Sequence, residues 1–158
     1  MDKDILIKQI NALLSDENDF FANASNFSSF IYHNFENLNW VGFYLFSQGT
    51  LLLGPFQGKT ACIRIKPGNG VCGTAFEKSE TVVVDNVHQF PGHIPCDDTS
   101  NSEIVIPMDF NGETTGVLDI DSPVYNRFSE DDKQTFEEML KILIRSSDME
   151  KMINYYNN

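Results

Sequence analysis

The chain has 158 residues, of which 41% are hydrophobic and 22% charged, a composition that is ordinary for one globular domain spanning residues 1–158. Its 23 acidic and 11 basic residues give a net charge of −12, so nucleic-acid phosphates and anionic membrane surfaces would repel it. We therefore expect neither a nucleic-acid nor a membrane partner.

The N-terminus and the cysteine content indicate the compartment. There is no run of about 18 apolar residues, and the first ten residues, MDKDILIKQI, lack the basic region and long apolar core of a signal peptide. We expect a cytoplasmic protein. Its three cysteines are an odd number in a reducing compartment, which disfavours a structural disulfide framework. Core packing, metal binding and redox chemistry all remain open uses for them.

Two helices are predicted at the start of the chain. Apolar residues within 4–14 follow helical spacing, and a second apolar stripe runs through 19–35. The hydrophobic period then changes to two, which is typical of strands. Segments 40–46 and 50–54 are predicted to form a hairpin around SQG, and TACIRI (60–65) is predicted to be another strand.

The middle of the chain combines a short helix, a strand and a long loop. GNGVCGTAFEKSE is predicted to be a glycine-rich turn into a short helix, and TVVVD (81–85) a strand. The stretch VHQFPGHIPCDDTSNSEIVIPM (87–108) begins as a polar loop with two histidines and a cysteine before it turns into a β pattern. A loop of this length without regular structure is usually either a working part or disordered.

The C-terminal part is predicted to be a hairpin and a helix. SEIVIPMDF and TTGVLDID are predicted strands joined by the turn NGE. Ser129 with an acid three residues later is a variant of the capping box, and it predicts one long final helix. The apolar positions on the buried side of this helix are Phe136, Met139, Leu140, Leu143 and Ile144.

Residue parity along the predicted strands separates two faces, because side chains alternate along a strand. One parity is apolar and predicts the face that the helices cover: Val41, Phe43, Leu45, Ala61, Ile63, Ile65, Ile104, Ile106, Met108, Leu118 and Ile120. The opposite parity carries Trp40, Tyr44, Cys62, Arg64, Glu103, Asp119 and Asp121. Aromatics, carboxylates and a thiol on one face are a pocket composition, in an α+β domain.

The carboxylates are the strongest part of this pattern. Asp119 and Asp121 are two residues apart, so both point the same way with Cβ atoms roughly 7 Å apart. A solvated sheet face is the alternative, and we favour it for Asp121 taken alone. Asp119 lies between apolar neighbours, where aspartate is disfavoured. If Glu103 approaches the pair, repulsion raises at least one pKa, and the cluster could bind an ammonium while a protonated member donates a hydrogen bond.

The cysteines leave two chemistries open. Cys96 lies in a polar loop near His93 and is the poorest candidate for core packing, which favours a reactive thiol. A zinc site is the main alternative, because His93 and Cys96 are separated by two residues and His88, Cys62 and Cys72 add ligands. The chain has no Cys-x-x-Cys pair, so the zinc signal is weak.

Four segments together resemble the free methionine-R-sulfoxide reductases, which are small enzymes with a single GAF domain. They are LGPFQGKTACIRIKPGNGVCGTAF, VHQFPGHIPCD, SEIVIPM and GVLDIDSP, and the likeness runs from about Asn39 to Glu138. The cysteine spacings, 62 to 72 and 72 to 96, also match the arrangement in that family. The resemblance implies a GAF fold: about six antiparallel strands, with N- and C-terminal helices on one face and a ligand pocket on the other.

The resemblance also implies roles for individual residues. Cys96 would be the nucleophile that reduces free methionine-R-sulfoxide, Cys62 would resolve it as a disulfide, and Cys72 would be an accessory thiol. The residues implied to contact the substrate are Trp40, Tyr44, Glu103, Asp119 and Asp121. A thioredoxin-type reductant would close the cycle, with no cofactor and no metal, and related enzymes suggest a homodimer. Pro95 departs from the family pattern, in which a small residue usually precedes the nucleophile.

Two other functions compete with this interpretation, since a fold alone does not determine function. One is a non-catalytic GAF sensor that binds a small molecule, and the other is a cysteine-based redox switch. An isolated domain without an output module makes signalling the weaker choice, and an anionic nucleotide fits poorly with three acids.

Overall fold

The computed structural model of the protein describes residues 2–94, 96 and 98–157. The strands are β1 (Trp40–Ser47), β2 (Thr50–Gly58), β3 (Arg64–Ile65), β4 (Val82–Val84), β5 (Ser102–Phe110) and β6 (Glu113–Ser122). The helices are α1 (Lys3–Leu13), α2 (Phe20–Asn34), α3 (Gly70–Lys78), α4 (Glu130–Ser146) and α5 (Met149–Asn157), with a 3₁₀ turn at Val87–Gln89. The strands form one antiparallel sheet in the order β3-β2-β1-β6-β5-β4.

Helices α1, α2, α4 and α5 pack on one face of this sheet. Their apolar residues share a core with the predicted face of the central strands: Val41, Phe43, Leu45, Ile104, Ile106, Met108, Leu118 and Ile120. All of these side chains are buried. The α+β class, the six-stranded sheet and the apolar face of β1, β5 and β6 are therefore confirmed.

The N-terminus of α4 is the capping box that the sequence predicts. The Ser129 hydroxyl accepts from the Asp132 N–H at 3.1 Å, and the Asp132 carboxylate accepts from the Ser129 N–H at 2.9 Å. Lys3 and Arg127 each approach the same carboxylate at 3.0 Å. Burial alone would raise the pKa of Asp132, but these hydrogen bonds and charges outweigh it and lower the pKa.

The predicted strand over 60–65 is wrong except for its last two residues. The side chains of Trp40 and Tyr44 on β1 donate hydrogen bonds to the backbone carbonyls of Lys59 and Cys62. These carbonyls therefore do not bond to the backbone of a neighbouring strand. Ala61 and Ile65 consequently pack on the pocket face, and the Ile63 side chain is 68% exposed. The prediction that alternate residues of this segment face the helices is wrong here, because it assumes a regular strand.

The single C-terminal helix is also wrong, because the chain forms two helices there. Ser147 is extended, and the Asp148 N–H donates to the Asn18 carbonyl at 2.7 Å, which ends α4. The Asp148 carboxylate then accepts from the Lys151 N–H at 3.0 Å in the first turn of α5. Within the described residues, no helix is both long and apolar enough to cross a bilayer.

Candidate active site

Three acids reach the pocket face from the neighbouring strands β5 and β6. Glu103 pairs with Asp121 across these strands, and Asp119 pairs with Val105. On its other side Asp119 pairs with Gly42 of β1. A Cβ at Gly42 would lie 2.6 Å from the Trp40 ring, so only glycine lets this ring lie across the strand beside Asp119.

Helix α3 brings a thiol onto the same acids. It packs against β5 and β6 and places Cys72 Sγ 4.0 Å from Glu103 Oε1. One potential ligand atom from each of Cys72, Glu103 and Asp119 lies within 4.8 Å of the others, and all three residues are buried. The Oδ1 atom of Asp119 is buried, and no hydrogen-bond partner for it lies among the described residues. An orphaned carboxylate oxygen in a pocket is a site for a donor from a ligand.

Burial and mutual repulsion change the protonation of this cluster. Burial first, and then the charges of Asp119 and Asp121, hold the pKa of Glu103 well above its usual range. Burial also raises the pKa of Asp119, to about 6, although hydrogen bonds from Glu103 and Cys72 offset part of this effect. Burial and the neighbouring acids therefore favour the protonated form of Glu103, whereas Asp119 is mostly ionised at neutral pH. Burial and the neighbouring acids also hold the pKa of Cys72 well above its ordinary value, so this thiol stays protonated.

Two stacked aromatic side chains form one wall of the pocket. The rings of Trp40 and Tyr44 are 6.0 Å apart and nearly parallel. Trp40 Nε1 donates to the Lys59 carbonyl at 3.0 Å, and the Tyr44 hydroxyl donates to the Cys62 carbonyl at 2.8 Å. The wall therefore also determines the position of the segment that carries Cys62.

A disulfide joins Cys62 to Cys96, whose Cα atoms are 5.4 Å apart. His93, Ile94 and Ser100, which are described residues near Cys96, line a cavity together with the carboxylates, and its volume is about 40 Å³. Such a volume holds about three water molecules. The lining residues include Trp40, Tyr44, Asn69, Gly70, Val71, Cys72, His93, Ile94, Cys96, Ser100, Glu103, Asp119 and Asp121.

Proteins of known family resemble this chain over most of its length. The GAF domain family model matches residues 27–143. The free methionine-R-sulfoxide reductase of Escherichia coli (strain K12) is 47% identical over 85% of this chain and 82% of its own. The free methionine-R-sulfoxide reductase of Saccharomyces cerevisiae (strain ATCC 204508 / S288c) is 43% identical over 89% of this chain and 83% of its own. The chain belongs to the free methionine-R-sulfoxide reductase family, within the GAF domain proteins.

A solved structure agrees with this membership. The X-ray structure of the free methionine-R-sulfoxide reductase from Neisseria meningitidis in complex with its substrate has a TM-score of 0.86 and 43% identity, covering 89% of this chain and 85% of that one. The family resemblance predicted from four short segments is thus confirmed over most of the chain. As a member of this family, the protein is an oxidoreductase.

The fold brings together the residues that the sequence singled out. Those that line the cavity are Trp40, Tyr44, Cys72, Cys96, Glu103, Asp119 and Asp121, and Cys62 is bonded to Cys96 above them. Arg64 is the exception, because it is exposed on edge strand β3 and donates to Thr50 Oγ1 at 2.7 Å. Pro95 lies outside the described residues.

The N-terminus of α3 is a part of the pocket that the sequence did not reveal. Asn69, Gly70 and Val71 line the cavity, and Gly70 has a φ of +62°. A Cβ at Gly70 would lie 3.3 Å from Ile94, so this glycine lets the loop approach the helix closely. The signal was present in the glycines of GNGVCG, which periodicity alone identifies only as a turn into a helix.

The described residues do not assemble the zinc site that the sequence left open. His88 Nε2 lies 2.8 Å from Asn101 Oδ1, and the sulfurs of Cys62 and Cys96 are bonded to each other. Within this part of the chain, the group of three side chains with metal-ligating geometry is instead Cys72, Glu103 and Asp119 on the pocket floor. Two members of this group, Glu103 and Asp119, are expected substrate contacts, and the third, Cys72, is the expected accessory thiol.

Proposed function

We propose that the protein reduces free L-methionine-R-sulfoxide to L-methionine, with Cys96 as nucleophile and Cys62 as resolving thiol. The observation that carries the proposal is the Cys62–Cys96 disulfide directly over a buried cluster of Glu103, Asp119 and Cys72. A small-molecule sensor needs neither the bridge nor the protonated acid. The single domain carries every group that the reaction requires.

The reaction proceeds in three chemical steps on the protein. The Cys96 thiolate attacks the sulfoxide sulfur while an acid protonates the oxygen, and the S–O bond breaks as water leaves. Water then attacks Cys96 Sγ and breaks its bond to the methionine sulfur, so methionine leaves and Cys96 becomes a sulfenic acid. The Cys62 thiol then attacks the sulfenic sulfur, water leaves, and the disulfide forms. A thioredoxin-type dithiol returns two electrons and two protons to the pair.

The protonation of the acids divides their roles. Glu103 is the proton donor to the sulfoxide oxygen, because burial and the neighbouring acids hold its pKa well above its usual range and favour its protonated form. Asp119 accepts the substrate's α-ammonium through its orphaned Oδ1, and Asp121 adds charge at the same end of the pocket. A peptide-bound methionine sulfoxide has no such ammonium, which accounts for selectivity toward the free amino acid.

The other substrate groups have partners on the pocket walls. The first N–H groups of α3 have no partners within the helix, and together with the helix dipole they suit the α-carboxylate. Asn69, Gly70 and Val71 present this helix end to the cavity. Trp40 and Tyr44 contact the S-methyl group and the side chain.

The acids oppose the ionisation of a nearby thiol, so the substrate has to remove that obstacle. Its ammonium neutralises the charge of Asp119 before attack, which removes the repulsion that opposes a thiolate at Cys96. Binding also requires the loop to move, because the cavity under the disulfide, at about 40 Å³, is too small for an amino acid. Reduction of the bridge releases Cys96 and opens the pocket.

The test is a single turnover in the absence of reductant. Reduced protein is mixed with free methionine-R-sulfoxide, methionine is quantified, and alkylation with mass mapping counts the thiols. We expect one methionine per chain and the loss of two thiols at Cys62 and Cys96, with Cys72 still free. Cys62→Ser should also release one methionine but stop at a sulfenic acid that dimedone traps, whereas Cys96→Ser should release none.

Two outcomes would give the protein another function. If neither sulfoxide epimer is converted, the non-catalytic sensor replaces the reductase. If peroxide forms the bridge but methionine sulfoxide does not, the protein is a redox switch. The homodimer implied by the family stays a prediction, which light scattering of the purified protein tests.

A further inference from the structure

We propose that the protein reductant docks on residues 59–66, named here the docking segment, and attacks the sulfur of Cys62 rather than that of Cys96. The inference rests on the proposed function and identifies how its partner reaches the site. Three independent features of the segment support it: the side of the bridge that it presents to solvent, an exposed apolar side chain, and its charge.

The two bridged cysteines face different surroundings. Cys96 lines the closed cavity, whereas Cys62 is not among the described residues that line it, and both are half-buried. A thiolate attacks a disulfide sulfur from the side opposite the leaving sulfur. Thr60 and Ala61 of the docking segment also line this cavity of about 40 Å³, but Cys62 itself does not. We therefore place the approach of the reductant to Cys62 outside the cavity, whereas an approach to Cys96 would have to enter it.

An apolar side chain lies beside the sulfur on that outer side. Ile63 follows Cys62 directly and is 68% exposed. Two hydrogen bonds hold the backbone at this position. The Ile63 carbonyl accepts from the Leu53 N–H at 2.9 Å, and the Cys62 carbonyl accepts from the Tyr44 hydroxyl. The backbone is thus held on both sides while the side chain stays in solvent. A single exposed isoleucine at a reactive bond is an anchor that a protein partner can bury.

The charge of the docking segment is opposite to that of the chain as a whole. The protein has 23 acidic residues, yet none lies between Glu36 and Glu77, and Lys59 and Lys66 are both exposed there. On the Cys96 side the acids of the pocket and the exposed Asp98 surround the bridge. A thiolate and an acidic partner surface are therefore attracted to Cys62 and repelled from Cys96.

The exchange balances in two displacements. A reductant thiolate bonds to Cys62 Sγ, the bond to Cys96 breaks, and the electron pair leaves on Cys96 as a thiolate. The second thiol of the reductant, deprotonated, then attacks the reductant's own sulfur and releases the Cys62 thiolate, so the reductant ends as a disulfide. Attack at Cys62 therefore returns the nucleophile of the next turnover, already as a thiolate, to the pocket side.

Trapping identifies the sulfur that is attacked. Oxidised protein is mixed, without any methionine sulfoxide, with thioredoxin whose second active-site cysteine is replaced by Ser, and the mixed disulfide is mapped by peptide mass spectrometry. We expect thioredoxin on Cys62, with Cys96 free to be alkylated. Thioredoxin found predominantly on Cys96 would overturn the proposal.

Substitutions in the docking segment test the surface itself. Ile63→Ser and the double variant Lys59→Glu, Lys66→Glu should each slow bridge reduction by thioredoxin about tenfold, while reduction by dithiothreitol keeps its rate. The matched controls are Ile5→Ser and Lys8→Glu, which lie exposed on α1 in the helix layer. Equal rates for docking and control variants would refute the surface.

The two proposals can fail separately. Methionine formed in the presence of dithiothreitol measures the reductase chemistry without a protein partner. If turnover with dithiothreitol is normal but thioredoxin reduces the docking and control variants at equal rates, only the docking proposal is refuted. If there is no turnover with dithiothreitol, the proposed reductase activity is refuted. The trapping experiment still shows which sulfur of the bridge is attacked.

Discussion

The two faces of the sheet are made by alternate residues of the same strands, yet they satisfy opposite requirements. On the helix face Phe43, Ile104 and Ile120 are buried among other apolar side chains, which stabilises the fold. On the pocket face the neighbouring residues Glu103 and Asp119 are also buried but carry ionisable groups. The pocket face thus lowers stability in order to hold acids at shifted pKa values, which is characteristic of a working site.

Two buried aspartates show the same contrast in their charge. Asp132, on the helix side, has a pKa below its usual value because the Ser129 backbone, Lys3 and Arg127 compensate its burial. Asp119, on the pocket side, has a pKa of about 6 because burial is compensated only in part. At a structural site a buried charge has partners of opposite charge within the protein, as Asp132 does. In the pocket the charge of Asp119 is left for a ligand to neutralise.

The largest effect on stability is expected from removing a large apolar side chain from the helix face. Phe43 is fully buried against the rings of Phe20 and Phe27, at 5.9 and 5.7 Å between centroids. Phe43→Ala should lower the free energy of unfolding by about 3–5 kcal/mol, since it removes apolar contacts and leaves a cavity. Urea unfolding measures this loss. The KM of the remaining folded enzyme should not change, and a large change would mean that the faces are coupled.

A smaller effect, with a definite pH dependence, is expected from the pocket face. Between pH 3.8 and about 6 the folded protein binds more protons at Asp119 than the unfolded chain does, so stability falls as pH rises through this window. In Asp119→Asn this loss should be absent, a difference on the order of 2–3 kcal/mol by pH 7. Unfolding of both proteins from pH 4 to 7 checks it, and parallel curves would contradict it.

The same variant connects the pocket face to activity. Asp119→Asn should raise KM and lower kcat together, for a loss of roughly 10²-fold in kcat/KM, because the ammonium loses its ionised partner. Unchanged kinetics would refute the role of Asp119.

The smallest effect is expected at the helix cap. Ser129→Ala removes the hydroxyl that accepts from the Asp132 N–H and should cost about 1 kcal/mol of stability. Thermal unfolding measures it, with Ser129→Thr as the conservative control. Methionine formation should not change, because α4 lies on the face away from the pocket. The Asp132 carboxylate stabilises the fold above its unfolded pKa and loses this effect as pH falls, opposite in sign to Asp119.

Most of the fold followed from local pattern, and the failures have a shared cause. The alternation in 102–110 and 113–122 predicted both faces of β5 and β6, because a paired strand leaves each side chain one of two directions. Residues 60–63 broke the rule because Trp40 and Tyr44, on another strand, donate hydrogen bonds to the carbonyls of Lys59 and Cys62. No local pattern in the segment records a partner that lies about twenty residues away.

The candidate site divides in the same way. The three cysteines, the two aromatics and the three acids were all identifiable from residue type, spacing and family resemblance. The end of α3, the orphaned Oδ1 of Asp119 and the exposure of Ile63 were not, since each depends on what neighbouring segments cover.

By itself, then, the sequence determined which side chains face the helices and which face the pocket along the regular strands, because alternation is a property of the local backbone. Only the tertiary structure decided how the acids ionise and which side of the bridge meets solvent. Both depend on burial and on distances between residues far apart in the chain, and these exist only once the segments have packed.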